Sequence, residues 1–243
     1  MESKPPFEWL KEKPFTLSLS AGFFGFYAHA GFLAALTEQG LAPSRIAGAS
    51  AGAIVGALHA AGHSSTEIKK MLCDLQRKDF WDPGLGIGLL KGKKMEALLH
   101  QMLPKNFSQL KIPLAVSTFN VYQMKTHVIS EGDQVIESVR ASAALPGLFH
   151  PVRKTGMLLV DGGVRDDMAV ATIKPGERVL CHYLQARRKP NYFEKLSLKK
   201  VAGNKEVLVR TFTERIPLGP HLLHRGTDAI EESYARTMEW LKG

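Results

Sequence analysis

Two long uncharged runs dominate the first third of the chain, Pro14 to Thr37 and Ile46 to Thr66. Each is long enough to cross a bilayer, so each is either a membrane span or a segment buried on every side. Their internal texture separates the two cases. The first run opens on the strand-like Phe15-Thr16-Leu17-Ser18-Leu19-Ser20, passes a glycine-containing turn, and becomes helical from Ala28 to Glu38. The second opens on a short strand, Ile46 to Ser50, and continues as an Ala-rich helix from Ala51 to Ala61 that stops at Gly62. Serines, histidines and glycines interrupt both. Two adjacent βα units covered on both faces have this appearance, and an integral membrane protein is not expected.

The rest of the chain keeps the alternation. Ser64 with Glu67 three residues on reads as a helix N-terminus, and that helix should run to about Gln76. The segment Trp81-Asp82-Pro83-Gly84-Leu85-Gly86-Ile87-Gly88 reads as a loop apolar enough to line a pocket. A helix from Lys93 to Leu103 follows, then strands over Ile112 to Asn120 and Gln123 to Ser130, and a helix from Val135 to Ala143. Short strands are expected at Leu158-Leu159-Val160, Arg178 to Tyr183 and around Leu208 to Phe212. The chain closes on a helix from about Gly226 to Leu241, whose Ile230, Tyr234, Met238 and Leu241 share a face. No repeat or linker stands out in the 243 residues, so one domain over residues 1–243 is the economical reading. Strand–helix alternation of this kind builds a mostly parallel sheet covered by helices on both faces.

Composition narrows the function classes. With 44% hydrophobic and 23% charged residues the chain is globular rather than disordered or fibrous. Two cysteines, Cys73 and Cys181, make neither a disulfide framework nor a four-cysteine zinc site, and suit the reducing cytoplasm. No clustered His, Cys and carboxylate set has metal-ligand spacing, so neither a metal nor an organic cofactor is expected. Met1-Glu2-Ser3-Lys4-Pro5-Pro6 lacks the basic-then-apolar layout of a secretory signal, so a cytoplasmic location is expected.

Gly48-Ala49-Ser50-Ala51-Gly52 is a G-x-S-x-G motif placed where it has mechanical meaning, after an apolar strand and at the start of a helix. A sharp turn there presents the serine at the end of the sheet, and the helix N-terminus stabilises negative charge beside it. The same five residues would also serve as a plain small-residue turn for helix–sheet packing. A nucleophilic serine needs a proton acceptor. His29 and His59 fall in apolar helices as core residues, and His221 and His224 flank a polar turn. Asp161, in Val160-Asp161-Gly162-Gly163 at the end of an apolar strand, is the stronger candidate once partial burial raises its pKa. The competing reading is an Asp-Gly hairpin turn.

Taken in order, the motifs resemble the patatin-like phospholipases. Gly48-Ala49-Ser50-Ala51-Gly52 matches that family's nucleophile elbow. Arg140-Ala141-Ser142-Ala143-Ala144-Leu145-Pro146-Gly147-Leu148-Phe149-His150-Pro151 is similar to its Ala-Ser-x-x-x-Pro-x-x-Phe-x-Pro segment, and Leu159-Val160-Asp161-Gly162-Gly163-Val164 to its Asp-Gly-Gly element. The resemblance runs from about Phe15 to Val170. It implies a three-layer α/β/α patatin-like fold with a mostly parallel central sheet, in which residues 171–243 complete the sheet and add a basic stretch and a helix. It also implies a dyad of Ser50 as nucleophile and Asp161 as base, acting on acyl esters of lipids through an acyl-enzyme.

One element departs from the pattern. Where the family carries Gly-Gly-Gly-x-Arg/Lys-Gly after the first strand, this chain reads Ala21-Gly22-Phe23-Phe24-Gly25-Phe26, and Ala28-His29-Ala30-Gly31 fixes the register. The backbone N–H groups of Gly22 and Phe23 remain as oxyanion-hole donors, while the basic residue is replaced by Gly25. Phe23, Phe24 and Phe26, with Tyr27, either pack over the pocket and touch lipid or fill the core. Phe24, Leu145 and Phe149 are expected to bind substrate. Asp166 and Asp167 are reserve carboxylates in what is otherwise a turn.

The formal charge of +9 favours anionic partners. Arg187, Arg188, Lys189, Lys195, Lys199, Lys200 and Lys205 face only Glu194 between Arg187 and Lys205, and Lys91, Lys93 and Lys94 form a smaller cluster. Such clusters suit peripheral contact with an anionic membrane, and equally a solvated surface. No nucleic-acid motif accompanies them. The sequence therefore leads to a lipid or acyl-ester hydrolase. Two alternatives stand beside it: a weak or inactive relative that binds lipid or acyl ligands, and an α/β-hydrolase esterase using His182, His221 or His224 in a triad.

Overall fold

A computed structural model describes residues 4–185, 189–202, 204–213 and 216–243. In chain order its elements are α1 (Pro6–Glu12), β1 (Thr16–Leu19), α2 (Phe26–Glu38), β2 (Arg45–Ala49), α3 (Ala51–Ala61), α4 (Ser65–Cys73), α5 (Arg77–Phe80), α6 (Lys93–Met102), β3 (Leu114–Asn120), β4 (Lys125–Ile129), α7 (Val135–Ser142), β5 (Val152–Lys154), β6 (Met157–Asp161), β7 (Val179–Leu184), α8 (Tyr192–Val201), β8 (Val207–Phe212) and α9 (Gly226–Lys242). Both uncharged runs are βα units, and no helix of the described residues is long and apolar enough to cross a membrane. The Ser64–Glu67 pair forms the expected capping box, although α4 stops at Cys73, short of Gln76. The basic stretch is not merely a solvated run. Asn191 and Glu194 form another capping box, which starts α8. Arg187 and Arg188 lie outside the described residues.

The strands form one eight-stranded sheet in the order β5-β6-β3-β2-β1-β7-β8, with β4 paired to β3. Its centre, β3-β2-β1-β7-β8, is parallel, and β4, β5 and β6 join antiparallel. Alternation along β1 shows the two faces. Leu17 and Leu19 enter the large core shared with α2, α3, α4, α6, α7 and α9, while Ser18 points the other way and donates to the Met168 carbonyl. That second face carries a thinner cover, in which Met168, Val170, Cys181, Tyr183 and Val201 pack together beneath α8. The result is the expected three-layer α/β/α arrangement with a mostly parallel sheet.

Register on β3 places the site. Residues 114–117 of β3 pair with β2 and residues 118–120 pair with β6, while β4 pairs across 116–120. A strand has only two edges, so β2 and β6 share one of them, running toward each other head to head. Ala49 ends β2 opposite Ser117, and Asp161 ends β6 opposite Thr118. Ser50 and Asp161 therefore leave their strands at the same point.

Candidate active site

Ser50 stands between β2 and α3 with φ 52 and ψ −118. This is the positive-φ region that side chains avoid, so the elbow holds backbone strain. Its glycines make the turn sterically feasible. A Cβ on Gly48 would meet the Gly52 carbonyl oxygen at 2.6 Å, and one on Gly52 would collide with the Leu19 carbonyl. The Ser50 N–H donates to Ser142 Oγ at 2.9 Å, and Ser142 Oγ donates to the Ser117 carbonyl at 2.7 Å. Two residues on, the Ala144 carbonyl accepts from the Asp161 N–H at 3.0 Å. The end of α7 thus braces both halves of the site, a role for Ser142 that spacing alone did not reveal.

Ser50 Oγ donates to Asp161 Oδ2 at 2.6 Å, and the Gly163 N–H donates to Asp161 Oδ1 at 2.7 Å. Asp161 is buried, and desolvation pushes its pKa up to about 6 against the lowering effect of those two hydrogen bonds. Such a carboxylate is mostly ionised at neutral pH yet basic enough to receive a proton. Asp161 ends a sheet strand and enters a short 3₁₀ turn (Gly162–Val164), rather than closing a hairpin.

No histidine hydrogen-bonds Ser50 among the described residues. His182 is buried on β7, its ring stacked on Phe32 at 3.9 Å and its Nδ1 2.9 Å from His29 Nδ1. His221 and His224 are exposed. These placements give the triad reading no base.

A cavity of about 380 Å³ opens over the pair, lined by Ser50, Asp161, Gly22, Phe23, Phe24, Leu145 and Phe149 among others. All seven residues singled out by sequence therefore face one space. Ala51, Ile54 and Leu58 line it on successive turns of α3, so it extends about 12 Å along the helix from Ser50. Met71, Met95, Leu99 and Met102 complete an apolar wall. The loop around residues 81–90 contributes only its ends, Trp81 and Leu90. Leu85, Ile87 and Leu89 point into solvent, contrary to the expectation that this loop lines a pocket.

The 21–26 loop divides its aromatics. Tyr27 is buried and bonds the Leu72 carbonyl, Phe24 and Phe26 pack against the core, and Phe23 is 54% exposed at the cavity. Positive φ falls on Phe24, at 50°, and not on Phe26, which begins α2. The Gly22 carbonyl accepts from the Gly25 N–H at 2.8 Å, whereas the Gly22 and Phe23 N–H groups donate to no protein acceptor among the described residues.

Asp166 accepts from Ser117 Oγ and the Ala171 N–H, which makes it a turn brace. Asp167 and Glu194, two carboxylates that the sequence did not bring together, both line the cavity. Burial first, then Glu194 and Asp166, raise the Asp167 pKa to about 7.

An elbow serine thus stands against a buried carboxylate, beneath an apolar cavity at the end of an α/β sheet. The family model for patatin-like phospholipases matches residues 17–172, and the chain belongs to that family. An uncharacterized NTE family protein of Mycobacterium tuberculosis is 34% identical over 161 residues, covering 65% of this chain and 44% of that protein. The human 1-acylglycerol-3-phosphate O-acyltransferase PNPLA3 is 29% identical over 231 residues, covering 83% of this chain and 46% of its own. The chain thus spans under half the length of these curated relatives. VipD from Legionella pneumophila shares the fold, with a TM-score of 0.66 at 17% identity over 94% of this chain and 67% of that one.

Proposed function

We propose that this chain is a serine acyl hydrolase acting on lipid esters with a Ser50–Asp161 dyad. The carrying observation is the 2.6 Å hydrogen bond from Ser50 Oγ to a buried Asp161 at the mouth of an apolar cavity. Ser50 Oγ attacks the ester carbonyl as its proton passes to Asp161 Oδ2. The Gly22 and Phe23 N–H groups receive the developing oxyanion, assisted by the N-terminus of α3. Collapse expels the alcohol, which takes the proton from Asp161 and leaves an acyl-Ser50 ester. Water then attacks that ester with Asp161 as base, releasing the fatty acid and restoring Ser50.

The cavity along α3 holds the acyl chain, and Phe24, Leu145 and Phe149 contact it. Free N–H donors in the 21–26 loop support a working oxyanion site over a purely lipid-binding protein, even without the family's basic residue. One eight-stranded sheet spanning Thr16 to Phe212 supports reading residues 1–243 as a single patatin-like domain. Two free cysteines support a cytoplasmic setting.

A second reading follows from the acyltransferase name of the human relative. A glycerol-type hydroxyl in place of water would convert hydrolysis to acyl transfer at the same acyl-enzyme. Incubating wild type and Ser50→Ala with a lysophospholipid, a diacyl phospholipid and a neutral glyceride separates these outcomes by product. Fatty acid released by wild type alone supports hydrolysis. A new acyl-glycerol product supports transfer, and neither product from folded wild type contradicts both.

A further inference from the structure

The segment Gly84-Leu85-Gly86-Ile87-Gly88-Leu89 alternates glycine with large aliphatics, and the structure uses the alternation to turn the aliphatics outward. Gly88 lies so close to Phe149 that a Cβ would meet its carbonyl carbon at 2.7 Å, and a Cβ on Gly86 would run into the His150 ring. Gly86 and Gly88 also hold positive φ, 143° and 122° respectively. The backbone is therefore pressed against 149–150 through its glycines, and Leu85, Ile87 and Leu89 are 100%, 68% and 50% exposed. Aliphatic side chains this exposed, three in five residues, gain nothing from the fold.

The base of this prong is rigidly fixed. Pro83 and Leu90 form a bridge, and Leu90 bridges Phe149. The Leu89 and Leu90 N–H groups donate to the Gly147 and Leu148 carbonyls, and the His150 N–H to the Leu90 carbonyl. Asp82 accepts from the Gly92 and Lys94 N–H groups, which ties the loop to the start of α6. Leu145 and Leu148, from the adjoining turn, line the cavity above Ser50. The prong therefore stands at the cavity rim.

Exposed Lys78, Lys91, Lys93 and Lys94 surround its base. The Lys91 side chain lies along Gly84, and Lys94 Nζ donates to the Lys78 carbonyl at 2.7 Å. The carboxylates nearby are engaged: Asp82 as described, Asp79 by the Gln76 N–H, and Glu96 by Arg140. Apolar prongs above a collar of lysines complement a bilayer, in which hydrocarbon lies beneath anionic headgroups.

We propose that Leu85, Ile87 and Leu89 insert into an anionic lipid surface, with the lysine collar on the headgroups, and so seat the cavity mouth on the membrane. This deepens the lipid-ester reading by assigning the surface that delivers substrate. Because binding is measured on the inactive protein, the two claims fail separately.

The test is co-sedimentation of the Ser50→Ala chain, residues 1–243, with phosphatidylcholine vesicles, with and without phosphatidylserine. Strong binding to phosphatidylserine vesicles is expected. Leu85→Ser/Ile87→Ser/Leu89→Ser should lower partitioning by on the order of a thousandfold, since each of the three buried aliphatics contributes roughly tenfold. Lys91→Gln/Lys93→Gln/Lys94→Gln should abolish the phosphatidylserine preference, at roughly fivefold per lysine. The single variant Leu85→Ser, at a fully exposed position, should lose about tenfold and serves if the triple variant fails to fold. Undiminished binding by either serine variant would overturn the proposal, as would no vesicle binding by the parent. A vesicle-free dimer that the triple variant dissociates would overturn it too, making the prong a self-interface.

Discussion

Ser50 and Asp161 meet because Ala49 and Asp161 occupy adjacent register positions on one edge of β3, opposite Ser117 and Thr118. Two strands arriving head to head bring Ser50 Oγ and Asp161 Oδ2, separated by 111 residues in sequence, to within 2.6 Å. The end of α7 fastens both, through Ser142 Oγ and the Ala144 carbonyl. The pair is thus positioned by the sheet and one helix terminus.

Ser142 should act as a positioning residue. Ser142→Ala leaves the buried Ser50 N–H without its acceptor, at a cost of about 1–3 kcal/mol in stability. Its kcat for a soluble ester should fall with KM little changed, and Ser142→Thr should restore part of it. Chemical denaturation and steady-state kinetics check both arms.

Activity should follow the ionisation of Asp161. With its pKa near 6, kcat/KM should be flat above pH 7 and decline about tenfold per unit well below 6. The linkage to stability has the opposite sense. The folded state holds this proton to higher pH than the unfolded chain, so stability from this group is complete below about pH 4 and is lost as pH rises through 6. Asp161→Asn should therefore be inactive yet at least as stable as wild type at pH 8.

Asp167 is a second group of this kind. Its pKa of about 7 means that ionisation above neutrality opposes folding, and its Oδ1 has no hydrogen-bond partner among the described residues. Asp167→Asn should stabilise the protein at pH 8 by on the order of 1 kcal/mol. The gain should shrink as pH falls and vanish below about pH 3, where both states of the wild-type group are protonated. Thermal melts across that range measure it.

The proposed oxyanion donors, the Gly22 and Phe23 N–H groups, are backbone groups, so side-chain and backbone changes at one position should diverge. Phe23→Ala should leave acylation nearly unchanged, whereas Phe23→Pro removes the N–H and should slow it by about 10²–10³-fold. Equal effects of the two would remove Phe23 from the oxyanion role.

Chain-length selectivity should reside on α3. Leu58→Trp fills the cavity about 12 Å from Ser50. Longer acyl esters should lose on the order of tenfold or more in kcat/KM, at about 0.8 kcal/mol per excluded methylene, while butyrate esters keep theirs. A series of p-nitrophenyl esters reads the crossover.

Local chemistry makes much of this legible in the sequence alone. The Gly48–Gly52 elbow, the Ser64 capping box, both βα units and Asp161 as a strand-terminal carboxylate all follow from patterns within a dozen residues. What escaped was non-local or ambiguous. Ser142 reads as one small residue in an Ala-rich turn until the elbow packs on it. Asp167 and Glu194 are brought together only by α8, which a run of lysines disguised. The 83–90 loop was apolar enough for a pocket wall, and only the close approach of Gly86 and Gly88 to 149–150 determines that its aliphatics face out.

The central claim is that Ser50 is a nucleophile activated by Asp161. Wild type, Ser50→Ala and Asp161→Asn treated with a fluorophosphonate probe and weighed intact test it most directly. One adduct is expected on wild type, none on Ser50→Ala, and labelling of Asp161→Asn slowed by at least about a hundredfold. Absence of adduct on folded wild type, or undiminished labelling of Asp161→Asn, would contradict it.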